Sequence, residues 1–139
     1  MADNVTSQTL LDGDRLVIQK FTNISDGTGE AAVVKVDVST LAKNTYGHAC
    51  TGVKINKIWS AVHGMEVRIL WDADVNVLAW QATSNGPYLM DFSSFGGISN
   101  NSGTGSNGDI AFSTTDASAG DSYTIILECI KIYANPTTF

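Results

Sequence analysis

The stretch VRILWDADVNVLAW, residues 67–80, carries the pattern that decides the fold. Its first half alternates apolar and other side chains up to Trp71, which is the period of a β-strand with one covered face. The segment 72–74, Asp-Ala-Asp, then reverses the chain, since aspartate carboxylates accept hydrogen bonds from backbone N–H groups in turns. The stretch therefore predicts a β-hairpin in which Trp71 and Trp80 pack and bury large areas. The covered face of its first strand carries Val67, Ile69 and Trp71.

Two other interpretations of this stretch involve a ligand. Asp72, Asp74 and Asn76 occupy the first three ligand positions of an EF-hand calcium loop. The template fails, because Val77 replaces the required glycine and Thr83 the final glutamate. A looser calcium site on these three side chains stays as an alternative, and no other metal or cofactor site is predicted.

A sugar-binding platform is the second alternative for this region. Such a platform needs exposed aromatic rings beside hydrogen-bonding amides or carboxylates, and this chain has candidates for both roles. They are Trp59, Trp80, Tyr88 and Asn85. Packing in a core explains three tryptophans equally well.

Period-2 alternation extends along most of the chain. In AAVVKVDVSTL, residues 31–41, the pattern places Val34, Val36 and Val38 on one face and Lys35 and Asp37 on the other. Together with this segment, seven others give eight predicted strands: 15–21, 52–62, 65–71, 75–82, 87–92, 108–114 and 122–134.

Clusters of Gly, Asn, Asp and Ser separate these strands, and no segment has apolar residues at helical spacing over three turns. The expected fold is all-β, a single-domain β-sandwich or jelly roll of about eight antiparallel strands. The domain is expected to span residues 1–139, with an N-terminal arm over about residues 1–14 and a C-terminal tail over about residues 135–139.

The last predicted strand is apolar on both faces, which is typical of a central strand or of one covered by another subunit. A long Gly-rich segment, residues 91–109, leads into the predicted strand 108–114. Phe95 in this segment either packs into the core or anchors on a neighbouring subunit. The side chains expected at a subunit interface are Phe95, Ile126, Ile130, Ile132 and Tyr133.

The charge of the chain argues against several classes of function. Fourteen acidic and eight basic residues give a net charge of −6, without a cluster of lysines or arginines, so nucleic-acid binding is not expected. The first ten residues have no basic segment followed by an apolar one, and no segment has the apolar length of a membrane span. We expect synthesis in the cytoplasm, without a signal peptide and without a membrane partner.

Few residues of the chain are candidates for a catalytic role. His48 and His63 fall in turn-like contexts, and Cys50, although two residues from His48, would not face it on an extended chain. Cys50 and Cys129 show no metal-ligand spacing and are expected to be free thiols. No recognised nucleophile, zinc-protease or nucleotide-binding motif occurs, so no enzymatic activity is predicted.

Four segments together resemble a known group of proteins: GTGEAAVVKVDVSTL, VRILWDADVNVLAW, DFSSFGGISNN and GDSYTIILECIKIY. They are similar to small virion proteins encoded among the structural genes of tailed bacteriophages, and the likeness runs from about Gly27 to Tyr133. The resemblance transfers no catalytic, metal-binding or cofactor-binding residue.

The resemblance implies a non-enzymatic structural protein located in the virion. The expected role is capsid decoration, in which a dimer or trimer of the chain cements the shell by bridging subunits of the major capsid protein. The alternative is a tail, neck or fibre-associated virion protein, including a carbohydrate-binding adsorption module. Low charge density and a terminal strand apolar on both faces favour buried subunit contacts in either case.

Overall fold

Two antiparallel sheets make up the computed structural model, which describes residues 3–84 and 87–133. The five-stranded sheet contains, in spatial order, β1 (Asn4–Asp12), β2 (Leu16–Asp26), β9 (Ala119–Tyr133), β4 (Cys50–His63) and β7 (Tyr88–Asp91). The four-stranded sheet contains β3 (Val33–Val36), β8 (Ile110–Thr115), β5 (Glu66–Trp71) and β6 (Val77–Ala82). The predicted all-β sandwich is confirmed, with nine strands instead of about eight.

The core lies between the inner faces of the two sheets. Phe112 on β8 contacts two rings of the opposite sheet, Phe21 at 5.3 Å and Tyr123 at 5.8 Å between centroids. Both contacts are edge-to-face, the arrangement that aromatic pairs prefer. The helical segments of the described residues are two 3₁₀ turns, Val38–Thr40 and Ser93–Phe95. Neither is long and apolar enough to cross a membrane.

The predicted hairpin is present as β5 and β6. Ile69 lies opposite Trp80, and Trp71 lies opposite Val77 after a bulge in the register. Trp71 is fully buried, whereas Trp80 is partly buried and packs against the core. The second strand begins two residues later than predicted, because the Asn76 side chain accepts the backbone N–H of Ala73 at 3.1 Å and keeps the segment in the turn.

The predicted N-terminal arm is wrong over most of its length. Residues Asn4–Asp12 form β1, which pairs along its length with β2 at the edge of the five-stranded sheet. Its residues from Asn4 to Leu11 are exposed on both faces. A strand without a covered face needs no apolar alternation, so the sequence carries no period-2 signal there. The predicted C-terminal tail lies outside the described residues.

The face assignment in residues 31–41 is wrong at Val34 and Lys35. A shift of register between Val34 and Val36 interrupts the pairing of β3 with β8. Val36 is buried while Val34 is exposed, and the Lys35 side chain is only 3% exposed. A β-bulge redirects the side chains that follow it, and strict alternation cannot represent that change.

The Gly-rich segment is tied to β4 over part of its length. Ile98 and Ile55 exchange two backbone hydrogen bonds, of 2.8 and 3.0 Å. Gly108 has a positive φ of 84°, and a Cβ there would collide with the Thr51 carbonyl, so only glycine fits. The segment is therefore held against the five-stranded sheet at these two points.

A buried polar network joins the two sheets through Glu30, which lies between β2 and β3. Its carboxylate accepts the hydroxyl of Tyr123 at 2.6 Å and the side-chain amide of Asn23 at 3.0 Å. It also forms an ion pair with Lys35 at 2.5 Å. The backbone carbonyl of Glu30 accepts the N–H of Thr114 on β8. Glu30 therefore attaches the connection between β2 and β3 to both sheets.

Tyr123 makes the stability of the fold sensitive to alkaline pH. Burial raises its pKa far above the ordinary value of 10, and the hydrogen bond to Glu30 raises it further. The unfolded chain thus loses this proton first, so the contribution is fully present below about pH 10 and is lost as pH rises above it. We expect Tyr123→Phe to reduce that loss by about 1.4 kcal/mol per pH unit.

The measurement is urea unfolding of wild type and Tyr123→Phe between pH 7 and 11.5. Tyr46→Phe, at a residue that is 84% exposed, is the matched control and should follow wild type. Parallel pH profiles for wild type and Tyr123→Phe would contradict the assignment. Some alkaline loss should persist in both, because the Lys131 ammonium donates to the Asp12 carboxylate, which outweighs burial and raises the pKa of Lys131.

Candidate assembly surface

The central strand β9 has one face in the core and one face pointing away from the four-stranded sheet. Along its second half, Ile125, Leu127 and Cys129 are buried, while Ile126 and Ile130 between them are partly exposed. Ile132 continues the same row and is 39% exposed. Three isoleucines of the predicted interface therefore share one surface of the monomer.

Neighbouring strands extend this row into a broader surface. The register places Ile126 between Lys20 of β2 and Trp59 of β4, and Ile130 between Leu16 and Lys54. We call this surface the outer face, and its members are Leu16, Ile18, Lys20, Lys54, Lys57, Trp59, Leu89, Asp91, Ile126, Glu128, Ile130 and Ile132. Apolar and charged side chains alternate across it.

The outer face differs in charge from the rest of the chain. It holds three of the eight basic residues, Lys20, Lys54 and Lys57, against two carboxylates, Glu128 and Asp91. Glu128 also accepts a hydrogen bond from the Asn56 amide at 2.7 Å. A slightly positive apolar surface thus lies on a chain whose net charge is −6.

Two grooves lie beside β7, and Tyr88 lines both. The first, of about 350 Å³, is mainly apolar and is bounded by Trp59, Ala61, Pro87, Leu89, Thr124 and Ile126, among others. The second, of about 300 Å³, lies between the two sheets, where Trp80, Gln81, Thr83 and Met90 line it. The predicted sugar-platform residues are therefore divided between the two grooves, and Asn85 lies outside the described residues.

The remaining predicted interface residues lie elsewhere. The Tyr133 hydroxyl donates to the Asp14 carbonyl at 2.5 Å, so this ring is engaged within the chain. Phe95 lies in the 3₁₀ turn after β7 and is 67% exposed, with its ring 6.1 Å from that of Phe92. Phe92 is buried, so one phenylalanine of the loop packs into the core and the other does not.

The three residues of the calcium alternative make hydrogen bonds within their own turn and to the segment 104–107. Asp72 accepts the Asn107 amide at 2.9 Å, and Asn76 accepts the Ala73 N–H at 3.1 Å. The backbone N–H of Asp74 donates to the Thr104 carbonyl at 3.1 Å. Within residues 3–84 and 87–133, no group of three or more His, Cys, Asp or Glu side chains is arranged to hold a metal ion.

The histidines and cysteines do not form a nucleophilic pair. Cys50 is a buried free thiol that donates to the Gly52 carbonyl, and burial raises its pKa. Burial likewise raises the pKa of Cys129 to about 12. A thiol that stays protonated is a poor nucleophile. His48 has its Nδ1 3.5 Å from the Asn44 amide, and His63 is exposed at the end of β4.

Part of the outer face escaped prediction from the sequence. The missed side chains lie mainly on β2 and β4, at Leu16, Ile18, Lys20, Lys54 and Lys57, and Leu89, Asp91 and Glu128 were missed as well. A signal for β2 exists, since RLVIQKF has apolar residues at both odd and even positions, as β9 does. That pattern identifies a strand that is apolar on both faces but leaves its neighbours unspecified.

Comparisons of the chain with protein-family models, with curated proteins and with solved structures found no match. The function of the chain is therefore inferred from its sheet topology, its outer face and its sequence resemblance to small virion proteins.

Proposed function

We propose that the chain is a non-enzymatic structural protein of a bacteriophage particle, which decorates the capsid and cements it as an oligomer. Its partner would be the major capsid protein, with neighbouring shell subunits bridged by copies of this chain. The observation that carries the proposal is the row Ile126, Ile130 and Ile132 on the outer face, of which the first two are partly exposed and the third is 39% exposed. The resemblance to small virion proteins of tailed phages supports the same role.

The chemistry of the outer face suits a broad protein contact. Isoleucine and leucine side chains on a sheet supply apolar area, which is worth about 25 cal/mol per Å² once removed from water. The lysines between them can lay their alkyl chains on a partner while the ammonium groups meet acidic side chains. This combination predicts a capsid surface that is apolar with acidic groups at its rim.

Cementing needs repetition of this contact and no active site. A protein that binds only the assembled shell stabilises that shell, because disassembly must also break its contacts. The effect accumulates over every copy on the lattice. A small domain with one adhesive face is sufficient for this mechanism.

The test is a binding titration with capsids prepared without this protein. We expect Ile130→Asp to raise the dissociation constant by about tenfold or more, since it places a carboxylate in the apolar row. Leu78→Asp is the matched control, because Leu78 is exposed on the other sheet, and its binding should equal that of wild type. Urea unfolding of both variants separates lost binding from lost fold.

Equal binding by Ile130→Asp and wild type would contradict the use of the outer face. Location of the chain in the virion by cryo-EM gives the second readout. Copies in proportion to the major capsid protein support cementing, and copies confined to the tail or neck oppose it.

A tail, neck or fibre-associated module that binds carbohydrate is the second candidate function. It is favoured by the exposed ring of Tyr88, which lines one groove with Trp59 and another with Trp80. In that case Tyr88→Ala loses binding to host glycans while Ile130→Asp keeps it. If the chain cements the capsid, Ile130→Asp loses binding to capsids and Tyr88→Ala keeps it. The two variants therefore distinguish the candidate functions.

A further inference from the structure

Strand β1 is an uncovered edge of the five-stranded sheet. Within residues 3–84 and 87–133, its single hydrogen-bonded neighbour is β2, and every residue from Asn4 to Leu11 is exposed. An antiparallel edge strand directs alternate N–H and C=O groups away from its neighbour, ready to pair with a further strand. Fixing nine residues in a strand costs conformational entropy, and β1 has backbone hydrogen bonds to a neighbouring strand on one side. Hydrogen bonds to a strand on its other side would add to the stability of β1.

The other three edges are shorter or interrupted. β7 has four residues and ends in Asp91, and β3 has four residues with a register shift beside Lys35. β6 has six residues and a shifted register opposite β5. Proteins commonly protect edges with charges, bulges or short strands. β1 lacks these features from Asn4 to Thr9, and its bulge comes only after Thr9.

The side chains around this edge favour a second copy of the same strand. Residues 4–11 of a chain with net charge −6 carry no charge, so two copies can approach here without like-charge repulsion. Their Asn, Thr, Ser and Gln side chains both donate and accept hydrogen bonds, and therefore complement themselves. Exposed apolar side chains lie alongside, namely Val5, Leu10, Leu11 and Ile24.

We propose that β1 pairs antiparallel with β1 of a second copy, so that two five-stranded sheets become one continuous sheet across the dimer. A two-fold axis that relates antiparallel neighbours stands perpendicular to the sheet and keeps the two inner faces on the same side. Side chains alternate between the two faces along β1, and residues directly opposite each other in a sheet have side chains on the same face. Odd-numbered residues of one β1 must therefore lie opposite odd-numbered residues of the other. Centring the axis at Ser7 places Val5 opposite Thr9 and keeps the bulge at the rim.

This inference supplies the oligomer named in the proposed function but rests on β1 alone. The dimer can be measured on the free protein, whereas cementing is measured on capsids. The outer face keeps its position on each copy, so a dimer presents two such faces. One property can therefore fail while the other holds.

The first test is sedimentation velocity of the free protein over a range of concentrations. We expect a monomer–dimer equilibrium in wild type and a dissociation constant raised by about tenfold in Ser7→Lys, because two lysines then meet near the axis. Leu78→Lys, at an exposed position of edge strand β6, should dimerise as wild type does. Ser7 is exposed, so the lysine should not disturb the monomer.

A cross-linking test locates the contact. We expect at least one of Thr6→Cys, Ser7→Cys and Gln8→Cys to give a covalent dimer on mild oxidation, since facing residues near the axis approach within disulfide reach. Thr51→Cys, exposed at the start of β4, should stay monomeric on a denaturing gel, and the native cysteines are buried. A wild type that is monomeric at all concentrations, a trimer, or three edge variants that do not cross-link would each overturn the proposal.

Discussion

Replacement of Glu30 by alanine is expected to destabilise the fold by about 3–5 kcal/mol, because it leaves the Lys35 ammonium buried without a counter-ion. The Lys35 and Glu30 side chains are only 3% and 6% exposed, so water cannot replace the lost carboxylate in the folded chain. The Tyr123 hydroxyl loses its acceptor at the same time, and the Asn23 amide loses one of its two acceptors while it keeps Asp3. Each group left unsatisfied adds to the cost of burial.

Urea unfolding at pH 7 measures this loss, and a double variant separates its two causes. Glu30→Ala combined with Lys35→Met removes both charges, and we expect it to recover a substantial part of the stability lost in the single variant. Lys43→Ala, at an exposed lysine, should change stability by less than about 0.5 kcal/mol. A loss below about 1 kcal/mol in Glu30→Ala would mean that the network is open to water.

The strands of the sandwich were predictable because their inner faces must be apolar. Val67, Ile69 and Trp71 are all fully buried, in the alternation that the sequence displays. The hairpin turn was predictable for a local reason, since Asn76 and Ala73 bond within one short segment. In each case the information lies within about ten residues of the chain.

The errors fall where partners are distant or faces are uncovered. β1 has no buried face and therefore no alternation to detect. Lys35 is buried because a bulge turns it toward Glu30, and Glu30 is held by Tyr123, 93 residues further along the chain. Composition and periodicity carry no information about such a meeting.

The candidate surface was predictable in part for the same reason. β9 shows apolar residues on both faces, which correctly identified a strand with neighbours on either side. The strand order that places β2 and β4 beside it depends on pairing between residues about 60 to 115 positions apart. Lys20 and Lys54 could therefore be assigned to the outer face only from the strand order.

Replacement of Trp71 by alanine is expected to destabilise the fold by about 3–5 kcal/mol, which tests the hairpin on which the fold assignment depends. Trp71 is fully buried at the end of β5, opposite Ile110 on one side and Val77 on the other. Alanine would leave a cavity that this two-sided packing cannot close. Its indole Nε1 has no hydrogen-bond partner among the described residues, so the stabilisation comes from ring volume alone.

Two further variants make the cause measurable by urea unfolding. Trp71→Phe keeps most of the ring and removes an unsatisfied buried donor, so we expect a loss of at most about 2 kcal/mol. Trp80→Ala should cost about 1–3 kcal/mol, because Trp80 is only partly buried and packs edge-on against Phe92 at 5.3 Å. A larger loss in Trp80→Ala than in Trp71→Ala would reverse the assignment and place the main packing of the hairpin on its second strand.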